Sequence, residues 1–147
     1  MQINIKKFQD LSLQEKKEVL EWRNSDFVRK FMYDKNKISL KEHLKFIDNL
    51  TDRRVYLKIG DLGVVNFKIF DNYVEFGIHK NPNKKKVGSK LLEIGLKEAF
   101  KYNKKIILYV YEDNKKAIHL YKKFGFVEID KKDDLVKMEL KNENRKI

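Results

Sequence analysis

Residues 81–90 read NPNKKKVGSK, three consecutive lysines just ahead of a glycine. Residues 73–80 before them, YVEFGIHK, alternate apolar and polar types as a strand does, and Pro82, the only proline, ends that pattern. After them, Val87, Leu91, Leu92, Ile94, Leu96, Ala99 and Phe100 recur at helical spacing. A strand, a cationic loop and a helix start in that order suit a phosphate. First-turn N–H groups have no acceptor within their own helix, and the helix dipole adds partial positive charge there. Gly88 would let a bulky anion approach the main chain closely. An ordinary strand–turn–helix with solvated lysines fits the same residues. The loop is neither GxxxxGK[ST] nor GxGxxG, because Lys86 stands where a second glycine would be.

Other chemistries are narrowed by what is missing. The chain has no cysteine, so thiolate nucleophiles, disulfides and Cys-type zinc sites are out, in keeping with a reducing cytoplasm. Three histidines at 43, 79 and 119 have no HxxxH spacing, and no metal site is expected. Glu75, Gly77 and His79 share one face of their strand by period-two alternation.

The elements that must position these groups follow in order. Residues 3–8 predict a first strand. Ser12 caps a helix whose apolar face is Leu13, Val19, Leu20 and Trp22, and a short second helix takes residues 27–32. Ser39 and Glu42 form a capping-box pattern before Leu40, Leu44, Phe46, Ile47 and Leu50. Residues 54–59 and 64–70 predict a hairpin around Gly60-Asp61-Leu62-Gly63. Beyond the central strand and helix come a buried strand at 105–111, a helix from Asn114 to a stop at Gly125, and a closing hairpin at 126–129 and 135–140. The whole of 1–147 reads as one domain with a polar tail from about 141.

At 147 residues, with 41% hydrophobic and 38% charged residues, the composition is that of a soluble globular domain. No apolar run approaches a membrane span, and MQINIKK lacks a signal-peptide layout. The net charge of +12 invites a nucleic-acid reading. The lysines, however, are spread along the chain and interleaved with acidic residues, as on a solvated surface. An anionic small-molecule substrate would profit from the same field.

Two segments carry a resemblance. Between a strand and a helix, Asn83-Lys84-Lys85-Lys86-Val87-Gly88 resembles the pyrophosphate loop Q/R-x-x-G-x-G/A of the GCN5-related N-acetyltransferases (GNAT), with only the last glycine kept. More specifically, YEDNKKAIHLYKKFGF resembles that superfamily's closing motif, with Asn114, Ala117, Tyr121, Gly125 and Phe126 in register. The element order matches the GNAT fold. That fold implies an α/β (α+β) domain, a mixed, mostly antiparallel seven-stranded sheet flanked by helices, with its fourth and fifth strands splayed apart. The N-terminal third resembles the PseH branch, through Arg23, Asn24, Met32, Tyr33, Ile38, Ser39, His43, Leu44, Phe46 and Ile47. Branches acting on ribosomal-protein N-termini share a WRN-like start.

The resemblance implies acetyl-CoA as co-substrate and no metal. It implies acetyl transfer to the 4-amino group of UDP-4-amino-4,6-dideoxy-N-acetyl-β-L-altrosamine in pseudaminic acid biosynthesis, for flagellin glycosylation. Backbone N–H groups near Ile78 and His79 would face the thioester and pantetheine, with Lys80 also on the co-substrate. The diphosphate would lie on the N–H groups of Lys86, Val87, Gly88, Ser89 and Lys90, with Lys84, Lys85 and Lys86 adding charge. Asn114 and Ala117 would follow the pantetheine arm. Tyr121, which helical spacing alone would place in the core, becomes the candidate general acid. Glu75 or His79 is the candidate base, with cross-strand or packing roles as the alternatives. Arg23 and His43 are candidates for the diphosphate or uracil, and Met32, Tyr33 and Phe46 for the sugar pocket. The alternatives here are an Arg23 ion pair with Glu21 or Asp26, a packing His43, and ordinary core.

The resulting expectation is a cytoplasmic sugar N-acetyltransferase, with a homodimer admissible and neither nucleic acid nor membrane as partner. The alternative enzyme acetylates a ribosomal-protein N-terminus or a small amine. The alternative of another class is a basic nucleic-acid-binding domain, against which the aromatic residues at core-periodic positions argue.

Overall fold

A computed structural model describes residues 3–142. Short local signals build its N-terminal half. Strand β1 (Ile5–Lys7) gives way to a single 3-10 turn at Phe8–Asp10, so the first strand is shorter than residues 3–8. Three helices follow, α1 (Leu13–Asn24), α2 (Asp26–Arg29) and α3 (Leu40–Asp48). Each starts at a serine whose hydroxyl accepts a first-turn N–H, and Ser12 with Glu15 and Ser39 with Glu42 complete capping boxes. Helix α2 stops at Arg29, short of the expected Met32. Leu13 is 54% exposed, so the buried face of α1 is Val19, Leu20 and Trp22 without it.

The rest alternates strands with two further helices: β2 (Arg54–Ile59), β3 (Gly63–Ile69), β4 (Val74–Lys80), α4 (Gly88–Ala99), β5 (Lys105–Tyr111), α5 (Lys115–Lys123), β6 (Val127–Lys132) and β7 (Leu135–Lys141). The seven strands form one sheet in the order β1-β2-β3-β4-β5-β7-β6. Every neighbouring pair is antiparallel except β4–β5, which is parallel. This is the mixed seven-stranded architecture expected above. Lys141 still belongs to β7, and Asn142 is buried with its N–H donating to the Lys104 carbonyl. The rest of the tail expected from about 141 lies outside the described residues.

Period-two alternation sorts the side chains onto two faces. Val65, Phe67, Val74, Phe76, Ile106, Leu108, Val136 and Met138 build the larger core with Leu91, Leu92, Leu96 and Ala99 of α4 and Tyr121 of α5. On the other face Val64 packs with Phe8, Leu11, Val19, Trp22 and Ile47 under α1 and α3. Helix α4 lies low on the sheet because Gly95 has no side chain. A Cβ there would stand 2.7 Å from Val65 Cγ1 and 3.1 Å from Phe76 Cζ. Gly95→Val should therefore lower stability by about 2 kcal/mol, through overpacking and loss of this close seat. The midpoint of a urea unfolding curve will measure it.

Candidate active site

The parallel strands β4 and β5 meet only at their N-terminal ends, at Val74–Ile106 and Glu75–Ile107. Beyond that they part, while β4 stays paired to β3 along its full length. The edges of that ladder show which main-chain groups are left over. The Phe70 N–H donates to the Tyr73 carbonyl and the Asn81 N–H to the Leu62 carbonyl. Antiparallel pairing alternates, so Glu75, Gly77 and His79 spend their backbone groups on β3. Phe76, Ile78 and Lys80 turn theirs toward the gap in front of β5. The expectation of cleft-facing backbone near Ile78 and His79 thus narrows to Ile78 with its even-numbered neighbours.

Helices α4 and α5 flank the larger-core side of this gap, and neither has the side-chain cap that α1, α2 and α3 possess. The N–H groups of Gly88, Ser89 and Lys90 have no acceptor among the described residues. Gly88 is not required by the protein's own packing, since a Cβ there would meet only Leu120 Cδ2 at 3.4 Å. Room at that position is room for a ligand. Lys86, where the resembled loop has glycine, adopts φ 59°. It keeps the left-handed turn at a cost of about 1 kcal/mol. Lys85 and Lys86 are exposed and form no ion pair among the described residues, whereas Lys90 lies 3.8 Å from Glu93 and the Lys80 ammonium sits over the Phe27 ring.

On α5, Asn114 precedes the first turn with its side chain unused for capping, and Ala117 is half-buried. Tyr121 is buried against Phe126, with ring centroids 5.7 Å apart, and its hydroxyl has no hydrogen-bond partner among the described residues. Burial raises the phenol pKa well above its ordinary value, so the proton stays on at neutral pH. His119 is exposed.

The opposite face of β4 carries a polar cluster. His79 has its Nε2 shielded from solvent without a partner, and so has the Arg23 Nη1. The other terminal nitrogen of Arg23 donates to the Asp34 carbonyl at 2.9 Å, so no ion pair to Glu21 or Asp26 forms. Burial, and then the Arg23 charge, bring the His79 pKa down to about 4. Between His79 and Glu75 the strand has Gly77, and a Cβ there would lie 2.7 Å from both amide atoms of Asn66. Asn66 therefore lays its carboxamide across β4, which the sequence reading missed. The only signal was a glycine inside a strand. Tyr56, with its phenol pKa raised by burial, and exposed Tyr33, whose ring meets Tyr111 edge-on at 5.8 Å, complete this face with Glu75.

The segment bearing Met32 and Tyr33 is held by the helix before it. The Asn24 amide pairs with both backbone groups of Ile38 at 2.8 Å. Arg29 donates to the Asn24 and Lys35 carbonyls. Met32 is half-buried here. His43 is not brought to the cleft. It packs against Phe8, with its Nε2 3.0 Å from the Lys16 carbonyl, two helical turns before Arg23, and so joins α3 to α1. Phe46 lies behind Tyr56, at 4.9 Å between centroids, as part of the smaller core.

The acetyltransferase (GNAT) family model matches residues 16–126. The chain belongs to the GNAT acetyltransferase family. Two curated relatives, both acetyltransferase PseH from Campylobacter jejuni serotypes O:23/36 and O:2, are 34% and 35% identical over 98% of this chain and 97% of theirs. The crystal structures of C. jejuni N-acetyltransferase PseH, alone and with acetyl coenzyme A, match with TM-scores of 0.77 and 0.78 at 28% identity. They cover 95% of this chain and 97% and 99% of theirs. The spermidine N-acetyltransferase of Vibrio cholerae shares the fold, with a TM-score of 0.77 at 19% identity. This GNAT chain is an acetyl-CoA-dependent N-acetyltransferase. The uncapped α4 N-terminus, the open Gly88 and the left-handed Lys86 fit the diphosphate of that co-substrate, and Lys84, Lys85 and Lys86 would supply charge beside it.

The polar face makes a measurable claim. His79 should titrate in an NMR experiment with a midpoint near pH 4, and Arg23→Ala should move that midpoint upward. The unfolded imidazole takes its proton at about 6.5, so the folded state binds fewer protons between those values. Stability should be full above pH 6.5 and fall through this window on acidification, by up to about 3 kcal/mol.

Proposed function

We propose that this enzyme acetylates the amine of a nucleotide sugar, the 4-amino group of UDP-4-amino-4,6-dideoxy-N-acetyl-β-L-altrosamine, in pseudaminic acid biosynthesis. The near end-to-end similarity to the two PseH chains carries this reading, because it extends over α1 to α3, the elements that build the acceptor face, as well as over the acetyl-CoA half. The unpartnered Arg23 Nη1 supports it, offering a buried cationic donor to an anionic or carbonyl group of the acceptor. Met32, Tyr33 and Tyr111 supply apolar and aromatic surface beside it for the sugar or base.

In this reading the neutral sugar amine attacks the thioester carbonyl carbon. A C–N bond forms and the carbonyl oxygen becomes an oxyanion held by backbone N–H of the β4 edge near Ile78. The C–S bond then breaks and coenzyme A leaves as a thiolate, which takes up a proton, while the nitrogen loses one. Glu75 is the better acceptor for the nitrogen's proton, directly or through water. His79 is neutral but a poor base, since protonation would place a second buried cation beside Arg23. Tyr121 holds the proton nearest the leaving sulfur. Because burial raises its pKa further above a thiol's value of about 8.5, its main contribution is a hydrogen bond that stabilises the thiolate rather than early proton transfer.

Tyr121→Phe should lower kcat by about 100-fold with the acetyl-CoA dissociation constant changed less than threefold. Stopped assays of thiol release and calorimetry will separate the two. The substrate is tested by thiol release from acetyl-CoA with the UDP-4-amino sugar, a ribosomal-protein N-terminal peptide, a polyamine and a no-acceptor control. Release with the nucleotide sugar alone is the expected result. Release with the peptide or polyamine instead would replace the acceptor while keeping the chemistry.

A further inference from the structure

The diphosphate loop between β4 and α4 has a buried anchor outside the residues assigned so far. Asn81, the first residue after β4, is only 5% exposed, although it opens a loop of exposed lysines. All its polar groups are used. Its N–H donates to the Leu62 carbonyl at 2.8 Å and its Nδ2–H to the Asp61 carbonyl at 2.9 Å. Its Oδ1 accepts the Asn83 N–H at 2.9 Å, and its carbonyl accepts the Lys84 N–H at 3.1 Å. Two of these bonds reach back to the turn between β2 and β3, and the other two close the loop itself.

The turn is a rigid partner. Gly63 lies so close to the end of β4 that a Cβ would fall 2.5 Å from the His79 carbonyl oxygen, 2.8 Å from Lys80 Cα and 2.6 Å from Leu91 Cδ2 of α4. Hairpin turn, strand end and first turn of α4 are thus in mutual contact. A surface ion pair, Lys84 Nζ to Asp61 Oδ2 at 3.0 Å, runs parallel to the buried bonds. Exposed pairs of this kind contribute little, so the buried amide is the part that holds.

We infer that Asn81 is a positioning residue for acetyl-CoA: it fastens the lysine loop to the β2–β3 turn, so that the loop and the first-turn N–H groups of α4 are fixed before the diphosphate arrives. This rests on the reading of that loop as the diphosphate site. The physical reason is preorganisation. Lys86 holds a left-handed conformation that a free loop would leave. Donors that must first be ordered bind an anion with part of the gain spent on ordering. The bonds of Asn81 all lie within the loop and the β2–β3 turn, so its effect should be confined to the nucleotide end of the co-substrate.

That confinement gives the test. The dissociation constants of acetyl-CoA and of S-acetylpantetheine, which has the same thioester arm without the diphosphate, are measured by calorimetry for wild type and Asn81→Ala. Thermal melting checks that the variant is folded. Should the alanine variant fail to fold, Asn81→Ser, which keeps a hydroxyl for the Asn83 N–H but cannot span to Asp61, takes its place. The expected result is at least a tenfold weaker acetyl-CoA complex, with S-acetylpantetheine binding changed less than twofold. Equal weakening of both ligands would mean a merely structural residue, and unchanged acetyl-CoA binding would mean no anchoring role; either overturns the inference alone. If wild type binds the two ligands equally, the loop does not grip the diphosphate, and that reading falls together with the inference.

Discussion

The parallel strands β4 and β5 share two residue pairs and then diverge, although both continue toward Lys80 and Tyr111. Backbone polar groups inside a protein are almost always paired, so a gap opened in the middle of a sheet has to be answered by other donors and acceptors. The groups left over are those of Phe76, Ile78 and Lys80 along the open edge of β4, with helices α4 and α5 on one side and the Arg23–His79 face on the other; in the proposed reading a thioester arm answers them. The same gap has α4 and α5 on the larger-core face and α1 on the other, so the proposed reading gives acetyl-CoA the first face and the amine the second.

Helix ends divide in the same way. Helices built for packing close their N-termini with their own serines, at 12, 25 and 39. The two beside the gap leave theirs open. An uncapped N-terminus loses about 1 kcal/mol of local stabilisation and leaves its donors free, as the proposed diphosphate site at α4 requires. Lys86 is a second local cost on the same loop, a left-handed residue without glycine's freedom. These costs are offset by the contact of the β2–β3 turn with the end of β4 and with Leu91, and by the buried amide of Asn81. The loop is thus rigid through long-range contacts and not through its own composition.

Much of this was legible beforehand. Ser12-x-x-Glu15 and Ser39-x-x-Glu42 announce helix starts because a capping box is complete within four residues. Alternation in 74–80 and the buried run at 105–111 reveal β4 and β5 because burial on a sheet has period two. Three residues' partners were not legible. His43, a diphosphate or uracil candidate with packing as its alternative, packs, and its ring nitrogen meets the carbonyl of Lys16, 27 positions away. Phe46 faces Tyr56 of a strand that follows it. Asn66 reaches the site only because a neighbouring strand has glycine at 77. In each case the partner is remote in sequence, and no local rule contains it.

The amino-acid sequence by itself determined the order and kind of the elements and the family, since periodicity, caps and short motifs are local properties. Tertiary structure alone decided which backbone edge of β4 is open, which helix ends stay uncapped beside it, and that Arg23 and His79 share one shielded face. It also decided that His43 packs and that Asn81 anchors. The reason is physical: pairing register, desolvation and the proximity of charges arise only when residues far apart in the chain are brought together.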